Sequence, residues 1–279
     1  MGLHRRRRSL GARQRDRAGR GDYAHADRPA RGCRHCGGCR AVRLAAIPRP
    51  TRFRSRIRLT VTTRTYNQYC AAARALDLVG DRWTLLLIRE LLLGPRRYSD
   101  LQHGLPGIGT NLLAARLKML EEAEIVRKRT LPRPAASTVY ELTERGQALE
   151  PIVVGLARWG LELLGAPDSD QEWRPEWSVV AMRATFRPEA SAGINESYQF
   201  WVDDEPFWAT VRDGVATTGR GEVEDPAMVA RADADTFLSV ASGEQSIEAA
   251  IESGRYPVSG DEVVFARCAA MFALPGRSD

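Results

Sequence analysis

The sequence predicts an α+β chain of two folded units, residues 61–165 and 166–279, behind sixty residues that build no core. Three observations carry this. Between Ala71 and Ala123, apolar residues recur at helical spacing in four successive stretches. Two strand-like runs, a Pro-rich loop between them and a last helix follow. Beyond Gly165-Ala166-Pro167-Asp168-Ser169-Asp170, which reads as a linker, strand-like runs come first and helices second, the signature of an α+β layer. Charge divides at the same places. Residues 1–60 hold 18 Arg against three Asp, a net of +15. Residues 61–165 hold 14 basic and 11 acidic residues, a net of +3. Residues 166–279 hold 9 basic and 21 acidic residues, a net of −12. The order in the first unit, three helices and a tight turn before a fourth helix and a ribbon, describes a winged helix-turn-helix.

An acidic surface repels phosphate, so nucleic acid can be met only by the first two segments. Residues 1–60 are Arg, Gly, Ala and Pro without apolar periodicity and are expected to be disordered. Three readings of them stay open: a basic arm on the DNA backbone, an Arg-rich transit peptide, or translated upstream DNA. The last fits 39 Arg against two Lys, the bias of a GC-rich genome, and would make Val61 the first residue. Cys33, His35, Cys36 and Cys39 are metal-ligand types, but a zinc site closes a loop between two separated pairs and no second pair follows. No metal and no cofactor are expected. Cys70 and Cys268 stand alone, so no disulfide framework is read. No run reaches the roughly 18 apolar residues of a membrane span, since Arg89 and Glu90 interrupt Thr84–Leu93.

The elements follow in order. Ala71 to Val79 reads as a helix ended by Gly80. Asp81 can cap a helix from Trp83 to Leu93, stopped by Gly94-Pro95. Tyr98 or Ser99 opens a short helix to His103. Leu105–Gly109 carries two Gly where two helices meet steeply. Thr110 to Ala123 is the candidate recognition helix. Leu113, Leu117 and Leu120 fall on one face and pack inward. Thr110, Asn111, Ala114, Ala115 and Lys118 face away, with Arg116 flanking. Small and polar residues suit a major groove, where Asn reads adenine and Thr or Ala touches a thymine methyl. Ile125–Thr130 and Thr138–Leu142 are the ribbon strands. Arg127, Lys128, Arg129 and Arg133 on them, with Arg96 and Arg97 earlier, are expected to grip DNA backbone. The last helix, Thr143 or Glu144 to Leu164, shows Leu149, Ile152, Val153, Leu156, Trp159 and Leu163. That face exceeds the needs of a small domain, so a two-fold partner is expected. A dimer sets two recognition helices about 34 Å apart on a pseudo-palindrome.

Cys70, GDRWTLLLIRELLLGPRRYSDL, PGIGTNLLAARLKMLEE, VYELTERG and LARWG, in that order over residues 66–165, closely resemble the HxlR family of bacterial transcriptional regulators. The resemblance implies a homodimeric winged helix on operator DNA, repression as the common mode, a place in the bacterial cytoplasm on the nucleoid, and no enzymatic activity. Some members sense oxidants or electrophiles through a Cys near the N-terminus. Cys70 sits there, and Arg74, one turn later, would modestly favour its thiolate. A small buried residue at the start of the first helix is the alternative. Ala71 stands where the family has Pro.

In the second unit Ser178–Phe186, Glu196–Val202, Pro206–Arg212 and Gly214–Thr218 read as strands. Asp225–Ala232, DADTFLSVASG and QSIEAAIESG read as helices, and the end as a strand then a helix. There is no His and no catalytic set. DADTFLSVASGEQSIEAAIESGRYPVSGDEVVFARCAAMF resembles the sterol-carrier-protein-like fold, which implies an apolar tunnel for lipid-like molecules. The expectation is a regulator of DNA binding, responsive to an apolar ligand or to Cys70 oxidation. The alternative is a lipid carrier or enzyme whose helical domain is a structural or interaction module.

Overall fold

A computed structural model describes residues 65–134, 136–165, 171–242 and 244–272. The expectations for residues 1–60, including the Cys33–Cys39 cluster, lie outside these.

The first unit runs α1 (Ala71–Val79), α2 (Thr84–Leu92), α3 (Tyr98–His103), α4 (Thr110–Glu122), β1 (Val126–Thr130), β2 (Thr138–Leu142), α5 (Glu144–Gln147) and α6 (Glu150–Leu161). Strands β1 and β2 pair antiparallel, with Arg127 opposite Glu141 and Lys128 opposite Tyr140. A bridge between Arg96 and Tyr140 ties the loop before α3 to the ribbon. Leu87, Ile88, Leu91, Leu101, Leu113, Leu117 and Leu120 close the core, each fully buried or nearly so. The apolar spacing of α2 and α4 is therefore the cause of their packing. Two local expectations change. Asp81 does not cap α2: Trp83 holds the cap position at φ 78°, and the Asp81 carboxylate pairs with Arg116 at 2.5 Å. The last helix is broken, because Pro151 has no N–H to donate to the preceding turn and instead starts α6.

The second unit runs α7 (Ser178–Thr185), β3 (Glu196–Val202), β4 (Glu205–Arg212), β5 (Val215–Arg220), β6 (Met228–Ala232), α8 (Ala234–Ser242), α9 (Ile247–Glu252), β7 (Val258–Gly260) and α10 (Glu262–Met271). Its five-stranded sheet has the order β5-β4-β3-β6-β7. Strands β3 and β6 run parallel and the other neighbours antiparallel. Tyr198, Phe200, Phe207, Ala209 and Val211 bury one face, joined by Val179, Ala250, Cys268 and Met271 from the helices. Two expectations are overturned here. Ser178–Phe186 is not a strand but the helix α7 and its C-cap, entered through a 3₁₀ turn at Pro175–Trp177. Its adjacent valines face two cores at once, Val180 the first unit's and Val179 the second's. That demand mimics a two-sided strand in sequence. Asp225–Ala232 is not a helix: Met228 and Ala230 alternate inward on β6 beside β3.

The two units meet along α7. Arg158 of α6 donates through Nε to the Ala184 carbonyl at 2.7 Å. Arg183 of α7 bonds Glu150 at 2.8 Å and the Thr218 hydroxyl at 2.7 Å, and Thr218 donates to the Val179 carbonyl. Trp177 donates its indole N–H to Glu90 Oε1 at 2.9 Å. No helix among the described residues is long and apolar enough to cross a membrane.

Candidate nucleic-acid interface

Helix α4 is set by the turn before it. Gly107 holds φ +82°, a conformation that costs a residue with a Cβ, and Gly109 is the N-cap. The Tyr98 hydroxyl donates to the Thr110 carbonyl at 2.8 Å, fixing the start of α4 to α3. From that start Thr110, Asn111, Ala114, Ala115 and Lys118 are exposed, while Leu113, Leu117 and Leu120 are not. Leu112, also exposed, belongs to the same outward surface and was not foreseen.

The basic residues divide into groups. Arg97 and Arg133 are exposed. Arg127 and Arg129 each donate through Nε to one oxygen of Glu141, both at 2.8 Å. Burial alone would raise the Glu141 carboxyl, but the bonds from Arg129 and Arg127 outweigh it and hold the carboxyl below its usual range. Lys128 pairs with Glu121 of α4 at 3.1 Å and lies over the Tyr140 ring, and these neighbours raise its ammonium above the ordinary value. Arg116 is paired with Asp81.

Arg96 departs from its expected role. It is 8% exposed, with Nη2 4.0 Å from both Glu90 and Glu176, so its charge serves the junction between the units and does not reach the ribbon surface. Desolvation and the like charge of Arg220 lower its guanidinium, against the pull of Glu90, Glu176 and Asp100. The centre of this junction is Glu90, 1% exposed, which accepts from Arg89 at 2.7 Å and from Trp177. A Cβ on Gly104 would meet its carboxylate at 2.5 Å, so that position is held to glycine by packing. Of these carboxylates, Asp81 was expected only as a helix cap, and the pairing roles of Glu141, Glu121 and Glu90 were missed at the level of sequence. The observed ribbon register puts Glu141 opposite Arg127.

Cys70 is exposed, free, and at the N-cap of α1. Arg74 does not serve it, because its guanidinium is committed to Asp77 at 3.0 Å. Asp77 also accepts from the Tyr66 N–H at 2.9 Å and the Thr65 hydroxyl at 3.1 Å, tying the segment before Cys70 to α1. The Tyr66 bond is the largest influence on its carboxyl, which is lowered despite desolvation. On α6, Ile152, Leu156 and Trp159 share an exposed face, with Trp159 at 63%, and Leu163 just beyond the helix is exposed too. Leu149 is half-buried at its edge, and Val153, expected on that face, is buried in the first core instead. Beside this face lies an apolar groove of about 570 Å³, lined chiefly by Ala72, Ala75, Leu76 and Val79 of α1 with Leu149 and Ile152. In the second unit a cavity of about 470 Å³ beside α8 is lined by Asp235, Thr236, Leu238, Ser239, Glu244, Gln245 and Arg255. No group of metal-ligating residues occurs among the described residues.

The model of the HxlR-like helix-turn-helix family matches residues 78–167. The HTH-type transcriptional regulator YodB of Bacillus subtilis is 39% identical over 85 residues, 30% of this chain and 76% of YodB. YvaP of the same organism, an uncharacterised HTH-type transcriptional regulator, is 34% identical over 89 residues, 32% of this chain and 82% of YvaP. Among solved structures, the reduced form of YodB is 34% identical with a TM-score of 0.31 and covers 36% of this chain and all of that one. The redox regulator HypR in its oxidised form is 30% identical with a TM-score of 0.32, covering 33% and 96%. The matched stretch holds the Gly107 turn, the exposed face of α4 and the ribbon, and ends at the linker. The chain therefore belongs to the HxlR-like helix-turn-helix family of DNA-binding transcriptional regulators, through its first unit.

Proposed function

We propose that the chain is a homodimeric repressor in the bacterial cytoplasm, bound to a pseudo-palindromic operator and released from it by oxidation of Cys70. Helix α4 enters the major groove with Thr110, Asn111 and Ala114 toward base edges and Lys118 beside them. Arg97, Arg127, Arg129 and Arg133 hold backbone phosphates. The observation that carries the reading is the neighbourhood of the thiol. Cys70 caps α1, and α1 lines the same groove as Leu149 and Ile152 at the edge of the apolar α6 face. If that face meets a second copy, chemistry at Cys70 acts at the rim of the dimer contact and biases the spacing of the two α4 helices.

The second unit is read as sterol-carrier-like, a ligand-sensing module fused to the DNA reader. Its sheet, with helices packed on one face, supports that reading. An apolar ligand has better complementarity to the α1–α6 groove. The test is anisotropy on a labelled duplex from upstream of the chain's own coding region, before and after diamide treatment. Reversible loss of binding that disappears in Cys70→Ser supports the reading. Loss that persists in Cys70→Ser, or no loss at all, rejects sensing by this thiol.

A further inference from the structure

We infer that Glu141 is a positioning residue for DNA: it holds the Arg127 and Arg129 guanidinium groups side by side so that their outer amino groups receive phosphate. The inference rests on the reading that the ribbon meets the DNA backbone. Arg127 lies directly opposite Glu141 in the ribbon, and Arg129 is two residues along the same face. Each arginine is held through Nε, one on each carboxylate oxygen, at 2.8 Å. This mode of attachment matters. A guanidinium has five donors in a rigid fork. Using Nε on the carboxylate leaves both terminal Nη groups of each arginine for another acceptor. Among the described residues those groups have no other hydrogen-bond partner. The arginine side chains are 65% and 44% exposed, whereas that of Glu141 is only 13% exposed. Lys128, on the other face, is spent on Glu121 and Tyr140 and is not available in this way.

Two effects of Glu141 on DNA binding oppose each other. Its negative charge repels phosphate. Its two bonds restrict the arginines before DNA arrives, which removes part of the ordering cost of binding. The geometry favours the second, since the acceptor takes only the inner donor of each fork. The sign of one substitution separates them. Glu141→Gln removes the charge, and its amide has a single acceptor oxygen for two arginines.

The experiment uses the full chain and a labelled random-sequence duplex, since backbone contacts need no operator. Affinity is measured against salt, with thermal melting as a control for folding. Glu141→Gln and Glu141→Ala are expected to weaken binding about three- to ten-fold and to flatten the dependence of log affinity on log salt by about one, with melting unchanged. Arg127→Ala/Arg129→Ala is expected to lose at least as much, and Glu141→Gln added to it to lose nothing further. Unchanged or tighter binding by Glu141→Gln, while the arginine pair still matters, overturns the positioning role alone. An arginine pair without effect on affinity or salt slope overturns the ribbon reading beneath it, and this inference with it.

Discussion

Cys70 and Cys268 differ in the one property that governs thiol chemistry, access to solvent as the thiolate. Cys70 is exposed at a helix start. Cys268 is buried in the second core, and burial, with the Glu196 charge adding to it, pushes its thiol up to about 12. Brief treatment of the native chain with iodoacetamide at neutral pH, followed by peptide mass spectrometry, should label Cys70 and leave Cys268 unmodified. A second residue-level expectation concerns Trp177. It donates to a carboxylate with almost no access to water, so Trp177→Phe leaves Glu90 short of a donor. The cost is about 1–3 kcal/mol, read by chemical denaturation. No such loss would mean that the junction is not built on this bond. Arg96 shows why the site was only partly legible from sequence. Beside Arg97 it looks like a second grip, yet the carboxylates facing it include Glu176, brought in from the other unit. No local pattern announces a partner eighty residues away.

At the scale of elements, α4 separates two kinds of residue. Asn111 is exposed and supports no packing, while Leu117 is buried. Asn111→Ala should reduce discrimination between operator and mutated operator by about 1–3 kcal/mol with unfolding unchanged. Leu117→Ala should cost roughly 2–5 kcal/mol of stability. The opposite pattern in denaturation and binding curves would exchange their roles. The same periodicity made α1 to α4 legible in order, because each buries a single stripe against a single core. It misled at α7, where Val179 and Val180 serve different cores, and at β6, where Met228–Ala232 owes its state to pairing with β3. Pairing across the chain overrides local spacing. The ribbon strands were legible as two strand-like runs around a Pro-rich loop, whereas the break at Pro151 was visible as a residue and overlooked within a long apolar run.

For the whole molecule, the second unit does not hang free from α6. Helix α7 is held by Arg158 and Glu150 of α6 on one side and by Thr218 on the other, and Trp177 at its N-terminus donates to Glu90 of α2. That leaves one broad apolar surface uncovered among the described residues, the α6 face with its groove. Sedimentation of the unmodified chain should give twice the monomer mass, and Trp159→Asp should give the monomer without loss of folding. A monomer in both cases would remove the dimer and, with it, the proposed coupling of Cys70 to DNA.

The central claim is that the first unit reads DNA. Anisotropy of the full chain on a labelled duplex from upstream of its coding region, titrated across salt under excess unrelated competitor, tests it most directly. The expected result is binding that survives the competitor and falls linearly with log salt, with a slope of roughly −0.9 for each phosphate neutralised. Binding that is absent, or indifferent to salt, would contradict it.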